Sequence, residues 1–265
     1  MKPAYAFIFV AAVSAFAGCL SRPNSAPGLI FSLDFESEQE VLNPCVGPKG
    51  TLRQQMALTF ADGKEGKALR VEAGGPLLSY TLPTNFLGKT GCVEFWAKLE
   101  GNKSTFGCAD PCFYCIKFAN NEENLVQFTS NNGVGCRGLY GRMVHHERVT
   151  YQGFSHQCSY APILGKDISG WHHYAFVWNT DGVTGYKTKD GKTTPAVMYV
   201  DGKAHCDVNL MPEGPKDSVA SLVNTATKGA ELGFPLTRGR SASPYLIDSF
   251  RIWDFDKVPP APDGK

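Results

Sequence analysis

The stretch Cys92-Val93-Glu94-Phe95-Trp96-Ala97-Lys98-Leu99 reads as a β-strand. Val93, Phe95, Ala97 and Leu99 fall on one face, and Glu94, Trp96 and Lys98 on the other. That period of two marks a strand with one face in a core. The same alternation recurs at the start, where Leu29, Phe31, Leu33 and Phe35 interleave with Ile30, Ser32, Asp34 and Glu36. Ala68–Val71 and Leu77–Leu82 are shorter apolar runs split by Gly74, Gly75 and Pro76. Trp171–Asn179 is a long aromatic run, and Ala196–Val200 leads into Asp201-Gly202, a hairpin turn pair. Tyr245–Trp253 closes the series. No stretch holds helical periodicity over three turns. Many short strands parted by Gly, Pro, Asn and Asp predict an all-β sandwich or barrel.

The chain has 265 residues, of which 43% are apolar and 12% aromatic, enough for a sizeable core and too apolar for disorder. Its formal net charge is +1, and loss of residues 1–18 would remove only Lys2 from the charged set. With no basic tract, nucleic acid is not an expected partner, and any membrane contact is expected only through an anchor.

The first residues carry the marks of export. Lys2 precedes an apolar run from Ala4 to Phe16, too short to span a bilayer. The run ends in Phe16-Ala17-Gly18-Cys19. This resembles a bacterial lipobox, in which Cys19 receives lipid, although Phe16 departs from the usual Leu. Cleavage after Ala15-Phe16-Ala17 is the competing reading. The segments expected are a signal peptide over 1–18, a tether over 19–28, a domain over 29–256 and a Pro-rich tail over 257–265. The expected location is the bacterial cell envelope, periplasmic or at the surface.

Nine cysteines stand at 19, 45, 92, 108, 112, 115, 136, 158 and 206. If Cys19 carries lipid, Cys45, Cys92, Cys108, Cys112, Cys115, Cys136, Cys158 and Cys206 are left for disulfides, which persist in an exported protein. Their connectivity stays open. Residues 100–165 hold five of these cysteines with many Gly and Asn, and read as long stapled loops with two short strands, Cys112–Phe118 and Leu125–Thr129.

Four segments together resemble the laminin-G-like, concanavalin A-like family. They are Leu33-Asp34-Phe35 with Gly66-Lys67-Ala68-Leu69; Val93-Glu94-Phe95-Trp96; Gly170-Trp171-His172-His173-Tyr174-Ala175-Phe176-Val177-Trp178; and Met198-Tyr199-Val200-Asp201-Gly202-Lys203 with Ile247-Asp248-Ser249-Phe250-Arg251-Ile252. The resemblance implies an antiparallel two-sheet jelly-roll sandwich, carbohydrate or surface-protein partners, and often a structural calcium ion. Fold alone does not assign function. The cysteine-rich middle departs from the plain family pattern.

On the outward face of the Cys92–Leu99 strand, Trp96 beside Glu94 and Lys98 suits a sugar: the indole stacks on the ring and the polar groups read hydroxyls. The bland alternative is an aromatic half-covered by loops. Asp34, Glu36 and Asp248 are the calcium candidates, because hard oxygens suit that ion and a buried carboxylate needs a cation or hydrogen bonds. Asp248 falls among Leu246, Phe250 and Ile252 on a core-like face, and could instead cap a turn or accept backbone N–H groups. His172 and His173 point to opposite faces of a strand and read as structural. His145, His146 and His156 could join Cys108, Cys112, Cys115 and Cys136 around zinc, but exported thiols more often pair. Asn102-Lys103-Ser104 is a sequon that matters only in a eukaryote.

No catalytic residue is assigned. Retaining glycosidases need two carboxyls about 5–5.5 Å apart. The E-x-D-x-x-E strand of sandwich glucanases is missing, as are G-x-S-x-G, P-loop and H-E-x-x-H motifs. A site assembled in space from Tyr151, His156 or Glu147 stays open. The expectation is a binding module, with a protein adhesin or a polysaccharide-degrading enzyme as alternatives.

Overall fold

The computed structural model describes residues 26–52, 57–72, 78–84, 86, 88–100, 112–118, 121–133, 136–146, 154–162, 170–188, 190–205, 229–234 and 244–256. Cys19, the tether up to residue 25, Cys108, Glu147, Tyr151, Cys206 and the tail from 257 lie outside these residues.

The described chain is built from strands, with one short helix. The strands are β1 (Leu29–Leu33), β2 (Gly50–Leu52), β3 (Thr59–Asp62), β4 (Lys67–Val71), β5 (Leu78–Leu82), β6 (Thr90–Leu99), β7 (Cys112–Phe118), β8 (Asn121–Gly133), β9 (Cys136–His146), β10 (Phe154–Pro162), β11 (His172–Asn179), β12 (Ala196–Val200), β13 (Lys203–His205), β14 (Ala230–Phe234) and β15 (Tyr245–Trp253). Helix α1 (Glu38–Leu42) is capped by Ser37, whose side chain accepts the Glu40 N–H.

Two antiparallel sheets form. One runs β13-β12-β11-β6-β15-β4-β3, with β1 also on β15; the other runs β10-β9-β8-β7-β14-β5-β2. Apolar faces of both sheets meet in one core: Phe31, Leu33, Val93, Phe95, Tyr174, Phe176, Phe250 and Ile252 from the first, and Leu78, Tyr80, Phe113, Tyr114, Ile116 and Leu232 from the second. The rings interlock edge to face, as between Phe31 and Tyr80 (5.0 Å) and between Phe234 and Phe250 (5.0 Å). The alternation read at Phe31, Leu33 and Phe35 and at Val93, Phe95, Ala97 and Leu99 is the alternation of this core.

Two features differ from the sequence reading. Residues 112–162 are mostly a four-strand antiparallel run rather than long loops. β7 matches the expected strand, the expected Leu125–Thr129 lies inside the longer β8, and β9 and β10 are additional. Gly133 faces Cys136, so β8 and β9 pair back on each other. Gly and Asn weaken the local strand signal there, whereas pairing with neighbours distant in sequence supplies the ladder.

The second difference is a bulge in β15. Asp248 lies opposite Trp96 and Arg251 opposite Glu94, so Ser249 and Phe250 together face Phe95. Ser249 takes the left-handed φ of 51° that accommodates the extra residue. Phe250 and Ile252 therefore enter the core, while Asp248 stays on the outer face with Leu246. On its other edge, β15 pairs with β4 through Tyr245–Ile247 and with β1 through Phe250–Trp253. Asp248 stands where β1 and β4 part.

Candidate functional site

The outer face of the β6–β11–β15 region brings the sequence candidates together, but under cover. Antiparallel pairing sets Trp96 opposite His173 and Glu94 opposite Ala175. Glu94 is 8% exposed and Trp96 9%. One Glu94 oxygen accepts the Trp253 indole N–H at 2.8 Å, and the other lies 3.1 Å from His173 Nε2. Its carboxylate is thus occupied by protein groups, which answers the cost of burying a charge. His173 Nδ1 is buried and without a hydrogen-bond partner. Nε2 is thus the ring nitrogen placed to donate to Glu94.

The Trp96 ring is tilted against His173 at 5.3 Å, and Lys64 Nζ sits 4.6 Å from its centroid. Lys98, half-buried, lies opposite Leu246. The row read as an open platform is therefore a closed cluster. His173, Lys64 and Trp253 complete it, and the period of two places His173 on the correct face without revealing what covers it.

Lys64 is delivered by the turn between β3 and β4. Asp248 accepts the backbone N–H groups of Lys64 (2.8 Å) and Glu65 (3.1 Å), and Ser249 Oγ donates to it at 3.2 Å. Burial pushes the Asp248 carboxyl up to about 6, against the pull of those hydrogen bonds. Gly63 is required here, because a Cβ would meet Asp248 Oδ2 at 2.8 Å and the Lys67 carbonyl oxygen at 2.7 Å. Glu36 accepts the Lys67 N–H at 3.1 Å, and Asp34 pairs with Arg251. The three calcium candidates thus each face protein donors, Asp248 two backbone N–H groups, Glu36 one and Asp34 a guanidinium. Among the described residues no group of three His, Cys, Asp or Glu side chains stands together as metal ligands.

His172 turns to the other side of its strand, as expected. Its Nδ1 lies 2.8 Å from Asp201, which also accepts the His173 N–H at 3.0 Å. Asp201 has a φ of 50° in the hairpin turn. A second apolar cluster covers the outer face nearer the Leu29–Trp253 end. Cys92, Ala175, Val177, Val183 and Val197 are buried there, with Tyr186, Tyr199 and Trp253 half-buried around them.

Cys92 and Cys115 are buried free thiols, which corrects the expectation that both form bridges. Cys92 points into the second cluster, between strands whose facing residues are Val177 and Trp253. Cys45 is disulfide-bonded. Cys112, Cys136 and Cys158, with His145, His146 and His156, stand on β7, β9 and β10 at positions of which the backbone alone is described.

No family model and no curated protein matches the chain. Solved structures do. The binding domain of Paraclostridial Mosquitocidal Protein 1 is 14% identical with a TM-score of 0.56, over 87% of this chain and 50% of that one. The botulinum neurotoxin serotype D binding domain is 10% identical with a TM-score of 0.56, over 87% and 48%. The serotype G binding domain is 10% identical with a TM-score of 0.53, over 87% and 48%. The chain spans about half the length of these structures, and the likeness is one of fold: an antiparallel two-sheet β-sandwich.

Proposed function

We propose that this chain is an exported, lipid-anchored binding module of the laminin-G-like kind, taking a carbohydrate on the outer face of the β6–β11–β15 region at Trp96. The observation that carries the reading is the Lys64–Trp96 contact at 4.6 Å. A cation resting on an indole is worth about 0.5–2 kcal/mol, so a sugar ring that displaces Lys64 would open the covered face of Trp96 and recover that cost by stacking on it. Glu94 and His173 fix the surrounding aromatic rings in advance, which lowers the ordering cost of binding. The similar solved structures are binding domains, which agrees with a binding role.

The test is a glycan array on the mature, oxidised chain, with and without calcium. We expect binding to a defined glycan that falls at least tenfold in Trp96→Phe and Trp96→Ala. Lys64→Ala should bind several-fold more tightly, since its ring face is already vacated. Circular dichroism separates loss of binding from loss of fold. Binding to no glycan, or binding indifferent to both Trp96 variants, overturns the reading and moves weight to a protein partner.

A further inference from the structure

The place where the chain enters the sandwich carries its own surface. Gly28 O accepts the Asp254 N–H at 2.8 Å, and a Cβ at Gly28 would meet Phe255 Cδ1 at 2.8 Å. The entering chain is therefore packed against the segment that follows β15. Trp253 and Phe255 lie there with ring centroids 5.2 Å apart, both half-exposed. Tyr186, also half-exposed, packs on the same small cluster as Trp253. Its loop is tied to this end by Asp256, which accepts from Asn179 Nδ2 (2.6 Å), Thr184 N (2.9 Å) and Thr184 Oγ1 (2.7 Å).

We propose that this end of the domain rests on a lipid bilayer, with Trp253, Phe255 and Tyr186 seated among the headgroups. The inference rests on the reading of Cys19 as lipid-bearing, and not on the carbohydrate reading. Seven residue steps separate Cys19 from Ala26, the first described residue, and they span at most about 25 Å. A lipid on Cys19 thus holds the Gly28–Phe255 end within that distance of the membrane. β6 alone, at ten residues, carries the opposite end about 30 Å further away. Amphipathic rings such as Trp and Tyr prefer the membrane–water boundary. Among the described residues no charge excess drives the contact: exposed Lys89, Lys187 and Lys192 are matched by Asp181, Asp190, Asp254 and Asp256. A zwitterionic surface therefore suffices, and added salt should leave the contact unchanged.

The full chain, isolated with its lipid, would be reconstituted into phosphatidylcholine vesicles with a brominated lipid as quencher. Tryptophan quenching would be compared among wild type, Trp253→Phe and Trp171→Phe. We expect Trp253→Phe to lose at least half of the lipid-dependent quenching and Trp171→Phe to keep it. Phe255→Ser with Tyr186→Ser, which spares the Trp253–Glu94 bond, should also weaken quenching at least twofold. Quenching unchanged in Trp253→Phe, or abolished by moderate salt, overturns the proposal. Mass analysis of the N-terminal peptide reports separately on the anchor: a chain without lipid on Cys19 overturns both the anchor and this orientation, and leaves the glycan result standing.

Discussion

Trp253 donates its indole N–H to Glu94 at 2.8 Å, across the pair of strands β15 and β6. Glu94 also meets His173 Nε2 at 3.1 Å, so one buried carboxylate orients two rings from two other strands. Removing it by Glu94→Ala leaves two ring N–H donors without an acceptor. Each such loss costs about 1–3 kcal/mol, so the expected destabilisation is about 2–6 kcal/mol. Glu94→Gln, which keeps one acceptor oxygen, should lose roughly half as much. Urea unfolding measures both, and a Glu94→Ala as stable as wild type would refute the role.

Asp248 sets a pH dependence of definite sign. Its carboxyl is pushed up to about 6 in the folded protein, from an ordinary 3.8. The folded state therefore binds the proton more tightly than the unfolded chain. The stability this group contributes is complete below about pH 4 and is lost as pH rises through about 6. At about 1.4 kcal/mol per unit, the change approaches 3 kcal/mol. Asp248→Asn should flatten the stability profile between pH 4 and 6 relative to wild type. Parallel profiles for the two proteins would contradict this.

The two free thiols should be silent while the protein is folded. Burial pushes Cys115 up to about 12 and Cys92 well above the ordinary thiol range. The thiolate is the reactive form, so neither should alkylate at pH 8 in the native state. Both should alkylate in denaturant without reductant. Mass analysis of the labelled peptides decides, and native labelling of Cys92 would show that the second cluster opens.

Gly91 is a packing requirement rather than a turn. A Cβ there would meet Trp178 Cζ2 at 2.1 Å, and Trp178 is 1% exposed with its indole N–H bound to Gly88 O. Gly91→Ala should force that indole aside and cost about 1–3 kcal/mol. A thermal melt unchanged from wild type would show that Trp178 has room to move.

Local alternation was sufficient for β1 and β6, because a strand with one face in a core must repeat every two residues, and apolar or aromatic runs marked β11, β12 and β15. Phe31 and Phe95 could thus be assigned to a core face from their neighbours. The turn pair Asp201-Gly202 was equally local, resting on backbone conformations that few residues adopt. β9 and β10 were not legible, since neither holds an apolar alternation of its own and both become strands by pairing across the sheet. The face of Phe250 was also hidden, because the bulge at Ser249 shifts the alternation and arises from register against β6.

The candidate site divides in the same way. Period two placed Glu94, Trp96 and Lys98 on one face, which the strand holds. Their burial came from elsewhere: Lys64 from the turn held by Asp248, His173 from β11, and Trp253 from the far end of the chain. Alternation reports which side of a strand a residue takes, because that depends on its own backbone. What lies on top of that side depends on segments brought in from 30 to 160 residues away in sequence, roughly, and only the folded packing decides it.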